Sequence, residues 1–254
     1  MVVYDLYLES GPKRRKTMVH VPDLLGCVAN GPTTEAALDA TPEVIRAYRR
    51  FLARIGEPVV ADDAVDLSVV EHVTDGQWLG EGSPYIIFSC DLELVTDDDI
   101  EMTERRMTGM LGELATWADG QPDERLDAKP GAGRTAREIL LHVIGAQGPA
   151  LSIALGSAPG FGAIQGAAKR GERPLPIALE ETAHLAASVL RATTEEQRAH
   201  RRELSSGSYT LRKSIRRSLE HAWEHLAELS RRPGGPPLES GRTHDVPERT
   251  DPAL

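Results

Sequence analysis

From Ile139 to Ala168 the chain runs for thirty residues without one Asp, Glu, Lys or Arg. So long a stretch without charge has to be buried, either in a protein core or in a bilayer. A spanning helix needs about 20 predominantly apolar residues in succession. Here Gly145, Gly148, Pro149, Gly156, Pro159, Gly160, Gly162 and Gly166 interrupt the run, so no membrane span is expected. A protein core remains, and other helices must cover it.

Hydrophobic periodicity supplies those helices. The spacing predicts helices over 98–118, 134–156, 176–202, with a break near Thr193-Thr194, and 208–231. Thr96 followed by Asp97, Asp98 and Asp99 is a start signal for the first. No strand pattern falls among them. Four helices with a long Gly-rich connection between the second and third point to a helical bundle.

The first hundred residues read differently. Val2–Leu8 alternates like a strand and runs into the turn signal Gly11-Pro12. Lys13-Arg14-Arg15-Lys16 follows as a solvated hairpin tip, with a phosphate- or nucleic-acid-binding tip as the alternative, then strands at Thr17–Val21 and Cys27–Ala29. Thr33 can cap a helix whose apolar face is Leu38, Ile45, Tyr48, Leu52 and Ile55. Pro42 should kink that helix or restart it with Thr41 as cap, and Gly56 and Pro58 stop it. Two more strands are expected, Asp66–Val73 and Tyr85–Leu94. The expected class is therefore α+β, with an α/β domain at 1–96, helices at 97–232, and a disordered Pro/Gly/charge-rich tail at 233–254.

Charge divides along the same line. Residues 1–100 hold 8 Lys/Arg against 18 Asp/Glu, so the net charge of −10 lies entirely there and the remainder sums to zero. An acidic first half argues against general affinity for nucleic acid, which is driven by clustered Lys and Arg. Cys27 and Cys90 form neither a disulfide framework nor a zinc-knuckle pattern, which suits reduced thiols in the cytoplasm. Cys27 is read as a buried strand residue.

The pattern richest in chemistry is Glu220-His221-Ala222-Trp223-Glu224-His225. Residues four apart on a helix stand about 5–6 Å apart at Cβ, so two imidazoles can share one ion at about 2.0–2.1 Å each. His142 lies in an apolar helix that should face the bundle interior, where it would meet that pair. Three neutral imidazoles with open positions suit Zn²⁺, Ni²⁺ or Fe²⁺. Glu138 and Glu224 are candidates to orient the ligands. Arg212, Lys213, Arg216 and Arg217 are either a solvated face or partners for the carboxylates of a thiol cofactor. His184 and His200 read as surface residues, Trp117 and Trp223 as packing.

Thr135 to His142, with Leu219 to His225, Leu114-Ala115-Thr116-Trp117 and the stretch Asp123–Pro130, resembles the DinB/YfiT superfamily over about 98–231. The resemblance implies an up-down four-helix bundle and a homodimer. It also implies a divalent ion, Zn²⁺ or Ni²⁺, on His142, His221 and His225. It further implies a metal-dependent transferase or hydrolase that uses a low-molecular-weight thiol. Val19 to Gly31, with Thr33/Thr34, Glu35-Ala36 and Gly56-Glu57-Pro58, resembles a HicB-type antitoxin domain over about 2–60, although Leu25 stands where Pro is usual. That implies a β-β-β-α module, here with extra strands, that binds a protein partner. It leaves as the alternative function a regulatory protein with a structural metal.

Overall fold

In the computed structural model, which describes residues 2–60 and 63–238, three strands form an antiparallel meander: β1 (Val2–Ser10), β2 (Arg15–Val21) and β3 (Cys27–Thr33). Tyr7 pairs with His20, and His20 with Val28. Helix α1 (Thr34–Arg54) follows, capped by the Thr33 hydroxyl, which accepts from the Ala36 N–H. β4 (Val65–Val73) then returns parallel to β1, with a bulge after Leu6, giving the order β3-β2-β1-β4. Strand alternation sends Tyr4, Leu6 and Leu8 into the main core with Ile45 and Tyr48 of α1, while Tyr7 meets Phe88 on the other face.

The α+β class holds, and most predicted elements fall within a few residues of their places. α1 runs unbroken through Pro42. Thr41, expected as a second cap, is instead an interior residue whose hydroxyl donates to the Ala37 carbonyl at 2.8 Å. Tyr85–Leu94 is not a strand. Its backbone forms only a 3₁₀ turn at Ser89–Leu92, which Asp91 closes by accepting the Phe88 N–H. Phe88 buries itself against Tyr7 as a single anchor, so no alternating face is needed.

Helices α2 (Asp97–Asp119), α3 (Asp123–Leu126), α4 (Ala136–Leu155), α5 (Phe161–Lys169), α6 (Leu175–Arg191), α7 (Glu195–Ala199) and α8 (Leu211–Ser230) complete the chain. α2 packs on α6 and α8, and α4 on α8, α5 and α6. A short hairpin between α7 and α8, β5 (Arg202–Leu204) with β6 (Gly207–Tyr209), replaces the strand-free connection that was expected. The third predicted helix does break at Thr193-Thr194, where Thr194 caps α7.

Within the charge-free stretch, α4 runs unbroken through Gly145, Gly148 and Pro149 and ends at Leu155, where Gly156 caps it and α5 follows from Phe161. α4 is the one described helix long and apolar enough by composition to span a membrane, and 44% of that window is buried within the protein. Its glycines are docking notches rather than breaks. A Cβ on Gly145 would stand 1.8 Å from the Gln165 side chain of α5, and one on Gly148 would stand 2.6 Å from Phe161. Small residues let α5 close onto α4.

One continuous apolar core joins sheet and helices. Trp223 of α8 lies 4.7 Å from the Tyr48 ring and 5.5 Å from Phe51, both on α1. At the start of the expected tail, the Pro233 and Gly234 carbonyls accept from Arg125 and from the Trp117 indole. Residues 239–254 of that tail lie outside the described residues.

Candidate metal centre

α4 and α8 lie side by side, and each is held at its start by a threonine cap. Thr135 and Glu138 form a capping box on α4, and the Thr210 hydroxyl accepts the Lys213 N–H on α8. With α4 fixed, His142 projects toward α8, where His221 and His225 stand one turn apart.

The three rings meet. Centroids lie 4.6 Å apart for His142–His221, 5.0 Å for His142–His225 and 4.6 Å for His221–His225. One nitrogen from each falls within 4.8 Å of the other two, and the Nε2 atoms of His142 and His221 are 2.9 Å apart. Among the described residues, no other one belongs to this group of ligand atoms. All three side chains are half-buried, so the cluster borders solvent.

Electrostatics favour neutral rings. Burial, with His225 and Arg134 nearby, lowers the His142 pKa to about 4. His221 is held well below the usual range by burial and by its two histidine neighbours. Both therefore keep a lone pair at neutral pH, the form that ligates a metal. The Nδ1 of His221 is buried with no hydrogen-bond partner. His225 is oriented differently, because its Nδ1 donates to Glu228 at 2.8 Å and leaves Nε2 for the cluster. Burial pushes the Glu228 carboxyl up, but the bond from His225 and the charge of Arg232 bring it below its ordinary value. Arg232 in turn donates to Glu228 at 2.9 Å.

Glu228 was not among the expected orienting residues, although a carboxylate three residues after His225 is a readable signal. Glu138 is not near that role: its carboxylate accepts the Thr135 N–H at 2.7 Å. Glu224 is on the same turn as the histidines, and burial raises its pKa to about 7 despite Arg217.

The four basic residues at the start of α8 are not a solvated face: Lys213 and Arg216 are buried, and Arg212 and Arg217 are half-buried. Arg216 is 2% exposed and donates twice to Asp91, at 2.7 and 2.8 Å, and again to Glu220. Glu220 also meets His20 of β2 at 2.8 Å and Arg217 at 2.7 Å. Arg212 donates to Asp99, and Lys213 is buried against the Tyr209 ring, donating to the Ser208 carbonyl. Arg216 and Arg217, through Glu220, join sheet to helix, while Arg212 ties α8 to α2. Cys27 and Cys90 are buried and free, His184 and His200 are exposed, and Trp223 is buried.

No family model matches the chain, and no curated protein or solved structure matches it.

Proposed function

We propose that this chain binds one divalent ion, Zn²⁺ or Ni²⁺, on His142, His221 and His225. In this reading it acts as a metal-dependent transferase or hydrolase with a low-molecular-weight thiol as co-substrate. The observation that carries the reading is the convergence of three imidazoles from α4 and α8, two of them kept neutral by burial and the third held by Glu228. Carboxylate-bonded histidines at a cluster are a recurrent feature of metal centres. Three protein ligands at a solvent border leave a coordination position for a substrate, whereas a structural site usually has four.

When bound, the ion would lower the pKa of a thiol or water at that position and supply a nucleophile at neutral pH. The protein's own part is to keep His142 and His221 unprotonated by burial and to fix the ring of His225 through Glu228. Glu224, on the same turn and with its proton held to about pH 7, is available to take or return one. The packing of α2, α4, α6 and α8 supports an up-down four-helix bundle of the DinB kind, and the order β1-β2-β3-α1 supports a HicB-like module. Two buried free thiols suit a reducing cytoplasm.

Metal content by mass spectrometry on untagged protein purified without chelator tests this reading. The expected result is near one ion per chain, lost in His225→Ala. A metal-free wild type, even after reconstitution with Zn²⁺ or Ni²⁺, would overturn it and leave a partner-binding protein.

A further inference from the structure

Far from the histidines, an aromatic side chain stands in water beside a basic tip. Trp78 is 68% exposed, on a loop between β4 and the Phe88 anchor. A tryptophan so exposed gains little from burial, and its backbone φ of +59° is costly for a bulky residue. Yet the loop is firmly held. Glu9 of β1, itself buried, accepts from the N–H groups of Gly80, Gly82 and Ser83 at 3.1, 2.6 and 3.0 Å. The Ser83 hydroxyl crosses back to the Gln77 carbonyl at 2.6 Å.

The loop lies directly against the β1–β2 tip. Gly80 packs so tightly that a Cβ there would stand 1.9 Å from the Lys16 carbonyl, and Glu81 pairs with the Lys16 ammonium. Lys13 and Lys16 also have positive φ, 59° and 55°, so the tip is a defined turn with Lys13, Arg15 and Lys16 exposed. Glu81, exposed, is the acidic group paired with the tip, and Asp75, also exposed, lies three residues before Trp78 in the chain. An exposed pair such as Lys16–Glu81 contributes only about 0–1 kcal/mol, so a phosphate can compete for the ammonium.

We propose that the Trp78 loop and the Lys13–Lys16 tip together form a binding site for single-stranded nucleic acid, with a base stacked on Trp78 and phosphates on the tip. The Tyr85 ring meets Trp78 edge-on, at 6.2 Å and 85°, which steadies the indole in one orientation. Stacking with cations alongside is how single strands are held without reading their sequence. An anionic membrane would also attract a Trp–Lys surface, but insertion needs several apolar side chains, and Leu79 beside Trp78 is buried. The site is separate from the histidine cluster, so it stands or falls independently of the proposed metal.

The test is fluorescence anisotropy of labelled 20-nucleotide oligo-U and oligo-dT with the full chain, over a salt series. Binding at low salt is expected. Trp78→Ala should weaken it about 10-fold or more, while Trp78→Tyr should restore most of it. Lys13→Asn/Arg15→Gln/Lys16→Asn should lower the log–log salt slope by about 2. Circular dichroism and urea unfolding of the variants report whether each is folded. No binding by wild type at low salt would overturn the proposal, as would equal binding by folded Trp78→Ala. So would a mononucleotide that competes as well as the 20-mer, or tighter binding to vesicles of phosphatidylserine than to either strand.

Discussion

Two clusters of polar side chains share α8, one turn apart, and they are built on opposite principles. Around Arg216, opposite charges answer one another: two bonds to Asp91, contacts to Glu220, and Glu220 bonded in turn to His20 and Arg217. Around His221, three like groups face each other, and a buried ring nitrogen is left without a partner. Charges taken out of water are tolerated when their bonds are complete, whereas converging lone pairs gain little from each other. The first cluster is closed in that its charges are paired, and it joins sheet to helix, although the His20 Nε2 is buried there without a partner as well. The second is open, and under the proposed reading a cation completes it.

The largest expected effect breaks the closed cluster. Arg216→Met leaves Asp91 buried without its cation and Glu220 with only Arg217 and His20, and should cost about 3–5 kcal/mol in urea unfolding. Any folded variant should still bind metal. A loss of metal equal to that in His225→Ala would show that the two clusters act as one unit. Lys213 gives the same region a pH signature. Burial lowers its pKa to about 8, with Arg216 and Arg217 pushing the same way against Asp91. Above that pH the folded state has shed a proton that the unfolded chain keeps up to about 10.4. Stability should therefore rise between those values, by at most about 1.4 kcal/mol per pH unit. Lys213→Met should remove the rise, and equal slopes in both proteins would discount the burial argument. For the open cluster, a chelator should lower wild-type stability by about 2.7 kcal/mol if free metal had stood at about a hundred times its Kd. His225→Ala should show no such change.

How far each cluster was legible follows from sequence separation. His221 and His225 share a helix face by spacing alone, and His142 sits in an apolar helix that had to turn inward. The closed cluster joins residues 125 and 200 positions apart, Arg216 with Asp91 and Glu220 with His20. No periodicity connects such residues, so basic side chains at the start of α8 looked like a solvated face. The same limit applies to Tyr85–Leu94, where one buried ring and one carboxylate cap replaced a strand's alternation. Glycines in α4 misled for another reason. They read as breakers because the side chains that fill their notches, Gln165 and Phe161, come later in the chain.

The smallest effects sharpen the comparison most, because they set two glutamates against each other. Glu228 bonds the Nδ1 of His225, and Glu138 bonds only the backbone of its own helix cap. Glu228→Gln removes a charge that holds a ligand's ring, and should weaken metal binding about 10–100-fold by titration against a competing chelator. Glu138→Gln keeps a side chain that can close the same capping box. It should change stability by less than about 0.5 kcal/mol and leave metal affinity where it was. Equal losses from the two substitutions would mean that charge near the site matters and orientation does not. A loss from Glu138→Gln alone would assign the orienting role to α4, contrary to the bond that His225 makes.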